Sequence, residues 1–202
     1  MEFKKNIYKN NLILYTITTS KLKVKLTNYG ASINNIYLKN IDNIFESITI
    51  SYENMQDYLL KSPLYRGATI GRTSGRIKNG QFSINNKMYQ LDKNDNKTHN
   101  LHGGKNGFSF KLWDSKKIIK ENSIQIIFST FIKYMEDGFP GDLYVKVVYT
   151  IKNDSITIKY FGESQKDTLL NMTNHTYFNL SGNSEIISTH QLKVNAYKYF
   201  EL

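Results

Sequence analysis

The chain has 202 residues, 40% of them hydrophobic and 22% charged, with 2 prolines and no cysteine. That suits one globular domain or part of a larger one, and it excludes a disordered chain, a disulfide scaffold and a thiolate metal site. The formal charge of +10 raises nucleic-acid binding. The lysines do not form a basic stripe, however: Lys21, Lys23 and Lys25 alternate with Leu22, Val24 and Leu26, as on a solvated strand face. The abundance of Asn, Lys and Ile, whose codons are A/T-rich, accounts for the charge more simply. No nucleic-acid partner is expected. The N-terminal MEFKKNIYKN has no apolar run long enough for a signal peptide, and no segment approaches a membrane span. A cytoplasmic protein without a membrane partner is the default.

In chain order the dominant period is two. Leu22, Val24 and Leu26 open the pattern. Tyr52–Leu60 is the one short stretch that reads as helix. Phe82 and Ile84, then Asn85-Asn86, then Met88, Tyr89 and Leu91 predict a hairpin. Ser123–Lys133 predicts a long apolar strand. Leu143, Val145, Val147, Tyr149 and Ile151 alternate, as do Ile156, Ile158 and Tyr160, with a turn at Asn153-Asp154 that lacks the usual glycine. Many short strands joined by polar turns predict an all-β protein, an antiparallel β-sandwich. The last segment, His190–Leu202, also reads as strand through Leu192, Val194 and Ala196. A sandwich stopping there would leave an unpaired edge, so a truncated chain is expected.

Four histidines are the acid–base candidates at neutral pH: His99, His102, His175 and His190. His175 lies in Asn-His-Thr-Tyr-Phe-Asn, crowded with polar and aromatic groups, and reads either as functional or as a strand-end histidine bonded to backbone. His102 precedes Gly103-Gly104 and reads equally as a cleft-rim imidazole or an ordinary loop histidine. His99 and His190 read as structural or surface residues. Arg72 and Arg76 flank Thr73-Ser74-Gly75 and offer planar forks of donors suited to vicinal sugar hydroxyls. For Arg72 a salt bridge or a solvated loop is the simpler expectation. Asp137–Asp142 reads equally as turn chemistry or as a functional turn, and Trp113 could stack on a sugar face but reads more simply as core.

Asn171–Leu180 (NMTNHTYFNL) resembles the aldose 1-epimerase, or mutarotase, signature around its acid histidine. Four more blocks are similar to that family, in family order: Asn28–Leu38, Arg66–Ile77 (RGATIGRTSGRI), Asn100–Gly107 with Trp113, and Asp137–Tyr149. The resemblance implies the large antiparallel β-sandwich of the galactose mutarotase type, with residues 1–202 its N-terminal portion. It also implies interconversion of the α and β anomers of a hexose such as glucose or galactose, without a cofactor or a metal. His175 would protonate the ring oxygen, His102 would hydrogen-bond near the C1 hydroxyl and ring oxygen, and Arg76 would bind sugar hydroxyls. Catalytic and sugar-contacting roles thus fall on His102 and His175, and a binding role on Arg76.

Two departures from the pattern carry consequences. Gly75 stands where the family usually has Asn, which removes one amide from the substrate site. The family's general base, a glutamate near its C-terminus, and an aspartate that binds sugar lie beyond the point matching Leu202. Glu185 and Glu201 match neither motif. The chain alone is therefore expected to be inactive. The alternatives are a non-catalytic sugar-binding module, or a relative acting on a hexose 6-phosphate. Against the latter, no Gly-rich phosphate cradle is visible.

Overall fold

The computed structural model describes residues 1–60, 64–182 and 186–198. The chain begins with a five-stranded antiparallel sheet of consecutive strands: β1 (Glu2–Ile7), β2 (Ile13–Thr18), β3 (Leu22–Thr27), β4 (Ser32–Lys39) and β5 (Phe45–Ser47). Six short strands follow: β6 (Thr49–Ile50), β7 (Thr69–Ile70), β8 (Arg76–Ile77), β9 (Gln81–Ile84), β10 (Lys87–Gln90) and β11 (Asn100–Leu101). A four-stranded antiparallel sheet comes next, again in consecutive order: β12 (Asp114–Lys120), β13 (Ser123–Ile132), β14 (Leu143–Ile151) and β15 (Ile156–Glu163). Two short strands, β16 (Thr173–Asn174) and β17 (Tyr177–Phe178), complete the set.

The two large sheets share one core. Leu22, Val24 and Leu26 of β3 and Ile33 and Ile36 of β4 meet Ile126 and Phe128 of β13 and Val145, Val147, Tyr149 and Ile151 of β14. Every second residue of β14, from Leu143 to Ile151, is at most 1% exposed, as the alternation predicts. Trp113 is buried there, its indole N–H donating to the Phe108 carbonyl at 3.1 Å. The lysines of β3 stand on the opposite face, where Lys23 and Lys25 lie over the Tyr37 ring.

Both predicted hairpins form. Asn85 and Asn86 adopt φ of 51° and 60°, the left-handed pair that a two-residue turn joining β9 to β10 requires. The Asn153-Asp154 turn between β14 and β15 has negative φ at both residues, so it needs no glycine. Instead Asn153 bonds across to the β2–β3 turn, accepting from Thr19 and Ser20.

One expectation holds only in part and another fails. Tyr52–Leu60 is not an α-helix but a 3-10 segment confined to Met55–Leu60. Met55 and Tyr58 are drawn under Leu12, Leu14 and Tyr29, and that burial sets the local winding. The final segment is not a strand as far as it is described: residues 190–198 carry no ladder, and Leu192 and Val194 are 90% and 63% exposed. Alternating apolar residues make a strand only where an edge and a core face receive them. Residues 199–202, with Glu201 among them, and Glu185 lie outside the described residues.

Candidate active site

Two two-residue ladders and the loop between them bring the candidate residues together. β7 pairs with β16, Ile70 opposite Thr173 and Thr69 opposite Asn174, so His175 leaves the end of that ladder. The pairing continues through its backbone, for His175 N–H donates to the Ala68 carbonyl and Gly67 N–H donates to the His175 carbonyl. β8 pairs with β11, Arg76 opposite Leu101, so His102 emerges beside Arg76. The link from β7 to β8 is the loop Gly71–Gly75. Its Ser74 N–H donates to the Asn171 carbonyl, while Asn171 N–H donates to that of Arg72.

The result is a histidine pair. The rings of His102 and His175 lie 5.2 Å apart, centroid to centroid, at 83°. The tautomer of His102 follows from its partner: Gly75 N–H donates to Nδ1 at 3.1 Å, so the neutral ring carries its proton on Nε2. Gly75, with φ +73°, takes the left-handed conformation at this point, and a Cβ there would meet nothing within 4 Å. Burial, then the fields of His175 and Arg76, pull the His102 imidazolium down to about 4, against the opposing pull of Asp95. His102 is therefore a neutral hydrogen-bond donor at physiological pH.

The glycines after His102 are required by close approach. A Cβ on Gly103 would sit 2.0 Å from the Gly71 carbonyl oxygen, and one on Gly104 would press on Asp137. Asp137 also accepts from Asn106 N–H at 3.3 Å, so the Asp137–Asp142 turn, read from composition alone as turn chemistry, props the loop that follows His102.

Arg76 is half-exposed and its Nε donates to Asp95 at 2.7 Å. The sequence reading missed Asp95. It lies at the neck of a tight loop closed by reciprocal backbone bonds with His99, and no pattern distinguishes it from other surface aspartates. The expectation for Arg72 is overturned. Its guanidinium forms no salt bridge among the described residues and is 2% exposed. It donates to the carbonyls of Pro140 (2.8 Å), Gly141 (2.9 Å) and Lys133 (3.3 Å) and to the Thr168 hydroxyl (2.9 Å). His99 and His190 serve as acceptors for the backbone N–H groups of Asn79 and Leu180. A cavity of about 900 Å³ lined by Asn34, Asn35, Tyr37, Tyr52 and Arg66 borders no histidine. Its amides are already bonded, Asn34 to Tyr58 and Asn35 to Ser47 and Ser51.

The low His102 value predicts an acid limb in stability. Between about pH 6.5 and 4 the unfolded chain takes up a proton that the folded chain refuses, so stability is full above that window and is lost as pH falls through it. Urea midpoints measured at pH 7, 5.5 and 4 should fall more in the native chain than in His102→Asn. Parallel falls would show that His102 does not carry the effect.

Fold and site together define a β-sandwich that presents two imidazoles and an arginine on its loops, an arrangement for acid–base work on a hydroxylated ligand. A family model, Aldose 1-epimerase, matches residues 14–202. Galactose mutarotase of Bos taurus is 32% identical over 183 residues, which are 90% of this chain and 52% of that protein. Aldose 1-epimerase of Haemophilus influenzae is 42% identical over 135 residues, 65% of this chain and 38% of that one. The crystal structure of galactose 1-epimerase from Lactobacillus acidophilus superposes with a TM-score of 0.77 at 30% identity, covering 89% of this chain and 53% of that one. The chain belongs to the aldose 1-epimerase family. It spans about half the length of the curated relatives it matches. Among the described residues no helix is long and apolar enough to cross a membrane.

Proposed function

We propose that this chain carries the acid side of an aldose 1-epimerase site acting on a hexose such as galactose or glucose. The observation that carries the reading is the histidine pair, with His102 locked as an Nε2–H donor beside Arg76. Ring opening removes the proton of the C1 hydroxyl to a base, forms the C1 carbonyl and breaks the C1–O5 bond, while O5 takes a proton from an acid. Rotation about C1–C2 and the reverse steps give the other anomer. With His102 neutral, the donor to O5 is His175. His102 holds an oxygen near C1 through Nε2–H, and Arg76 binds hydroxyls with the terminal nitrogens that Asp95 leaves free.

Among the described residues, no carboxylate other than Asp95 acts on His102. The carboxylate whose field reaches His102 is Asp95, and it is already bonded to Arg76. We expect the 202-residue chain by itself to be inactive. Polarimetry of freshly dissolved α-galactose tests this. The chain alone should leave mutarotation at its uncatalysed rate. Fusion to the part of the Lactobacillus relative outside the matched region should accelerate it. Acceleration by the chain alone would place the base within it. A folded fusion that neither binds hexose nor accelerates the reaction would sink the reading.

A further inference from the structure

Tyr65 packs against both imidazoles of the site. It is 8% exposed and adopts φ of 50°. A bulky aromatic residue in the left-handed region persists only where its surroundings hold it, and such strain gathers at functional sites. The turn it makes has a use: the Tyr65 carbonyl accepts from Ala68 N–H, and the chain then runs into the Gly67–Ala68 pairing with His175. Its ring stands edge-on to His102 at 4.9 Å and 82°, tilted on His175 at 5.8 Å and 34°, and against Phe110 at 5.3 Å. Its hydroxyl lies beside the Asn94 side chain. Asn94 in turn bonds both the N–H and the carbonyl of Leu101, which pairs with Arg76 and precedes His102. Asp95, next in sequence, holds Arg76.

We propose that Tyr65 is a positioning residue: its ring, packed against both imidazoles, sets their perpendicular arrangement, and its hydroxyl, beside Asn94, braces the segment that holds Arg76. The same ring keeps water from one side of His102, in keeping with burial as the first cause of that residue's reluctance to charge. The charged and titratable groups facing His102 are His175, Arg76 and Asp95, and none of them is altered by a substitution at Tyr65. The role deepens the acid–base reading above, but its test does not depend on that reading, because it is made on the sugar-free 202-residue chain.

The test is ring ¹⁵N–¹H correlation spectroscopy of the histidines against pH, with the Arg76 Nε–H signal followed in parallel. In the native chain His102 should show the Nε2–H tautomer and titrate near 4. Tyr65→Leu, apolar but without the aromatic wall, should raise that midpoint by at least about one unit toward 6.5 and mix the tautomers. Tyr65→Phe keeps the wall, so its His102 midpoint should stay within about half a unit of the native one. Losing the hydroxyl should still shift the Arg76 Nε–H signal, through Asn94 and Asp95. A folded Tyr65→Leu chain with native His102 titration would overturn the proposal. If Tyr65→Leu does not fold, Tyr65→Phe decides: an unmoved Arg76 signal overturns it.

Discussion

Replacing Arg72 by methionine should cost the chain about 3–5 kcal/mol of stability, read from urea denaturation at neutral pH. The argument rests on what the guanidinium holds. Four donated bonds fix three carbonyls of the 133–141 turn and the Thr168 hydroxyl, and the flat cation lies 5.7 Å from the centre of the Phe139 ring. Burial pulls Arg72 down to about 10, offset by Glu136, Asp137 and Asp142, so it stays charged at neutral pH. Methionine fills much of the volume and leaves the Pro140 and Gly141 carbonyls without their donor. Lysine keeps the charge but not the fork, so Arg72→Lys should lose less, about 2 kcal/mol. The damage should reach the site, because the Arg72 carbonyl accepts from Asn171, four residues before His175. A loss under about 1 kcal/mol for Arg72→Met would mean that water takes over the carbonyls and that the clamp is dispensable.

In the active fusion, His175→Asn should lower kcat by ~10²–10⁴ with little change in KM. The fold should survive, because the bonds by which His175 closes its ladder are backbone bonds to Ala68 and Gly67, which asparagine keeps. What it loses is the imidazole proposed to donate to the ring oxygen. A drop smaller than tenfold, with the hexose still bound, would move the acid elsewhere. His102 is the residue to examine next, although a group that charges only near 4 is a poor proton donor at pH 7.

The proposed site leaves room for hexose preference to be tuned at Gly75. The backbone of Gly75 serves His102, and the space where a side chain would project is open. An amide placed there has room to reach a ligand hydroxyl without disturbing the chain.

The sequence by itself determined the elements that depend on neighbours along the chain. The alternation in β3 and β14 reports which face is buried, because a strand's side chains point to opposite sides with period two. Asn85-Asn86 reports a left-handed turn because asparagine tolerates that backbone. Asn171–Leu180 and Leu101–Gly104 carried the resemblance that nominated His175, His102 and Arg76. Tertiary structure decided whatever depends on partners distant in sequence. Met55–Leu60 wound as a 3-10 segment because the pocket under Leu12 and Tyr29 took Met55 and Tyr58. Residues 190–198 gained no ladder because no described edge receives them. Arg72, Tyr65 and Asp95 look alike in the sequence, three polar or aromatic residues in loops. They became a carbonyl clamp, a wall against two imidazoles and the anchor of Arg76 only when ladders of two residues each joined loops up to about a hundred positions apart. A hydrogen bond or a ring contact needs both partners at a set distance, and local pattern records only one of them.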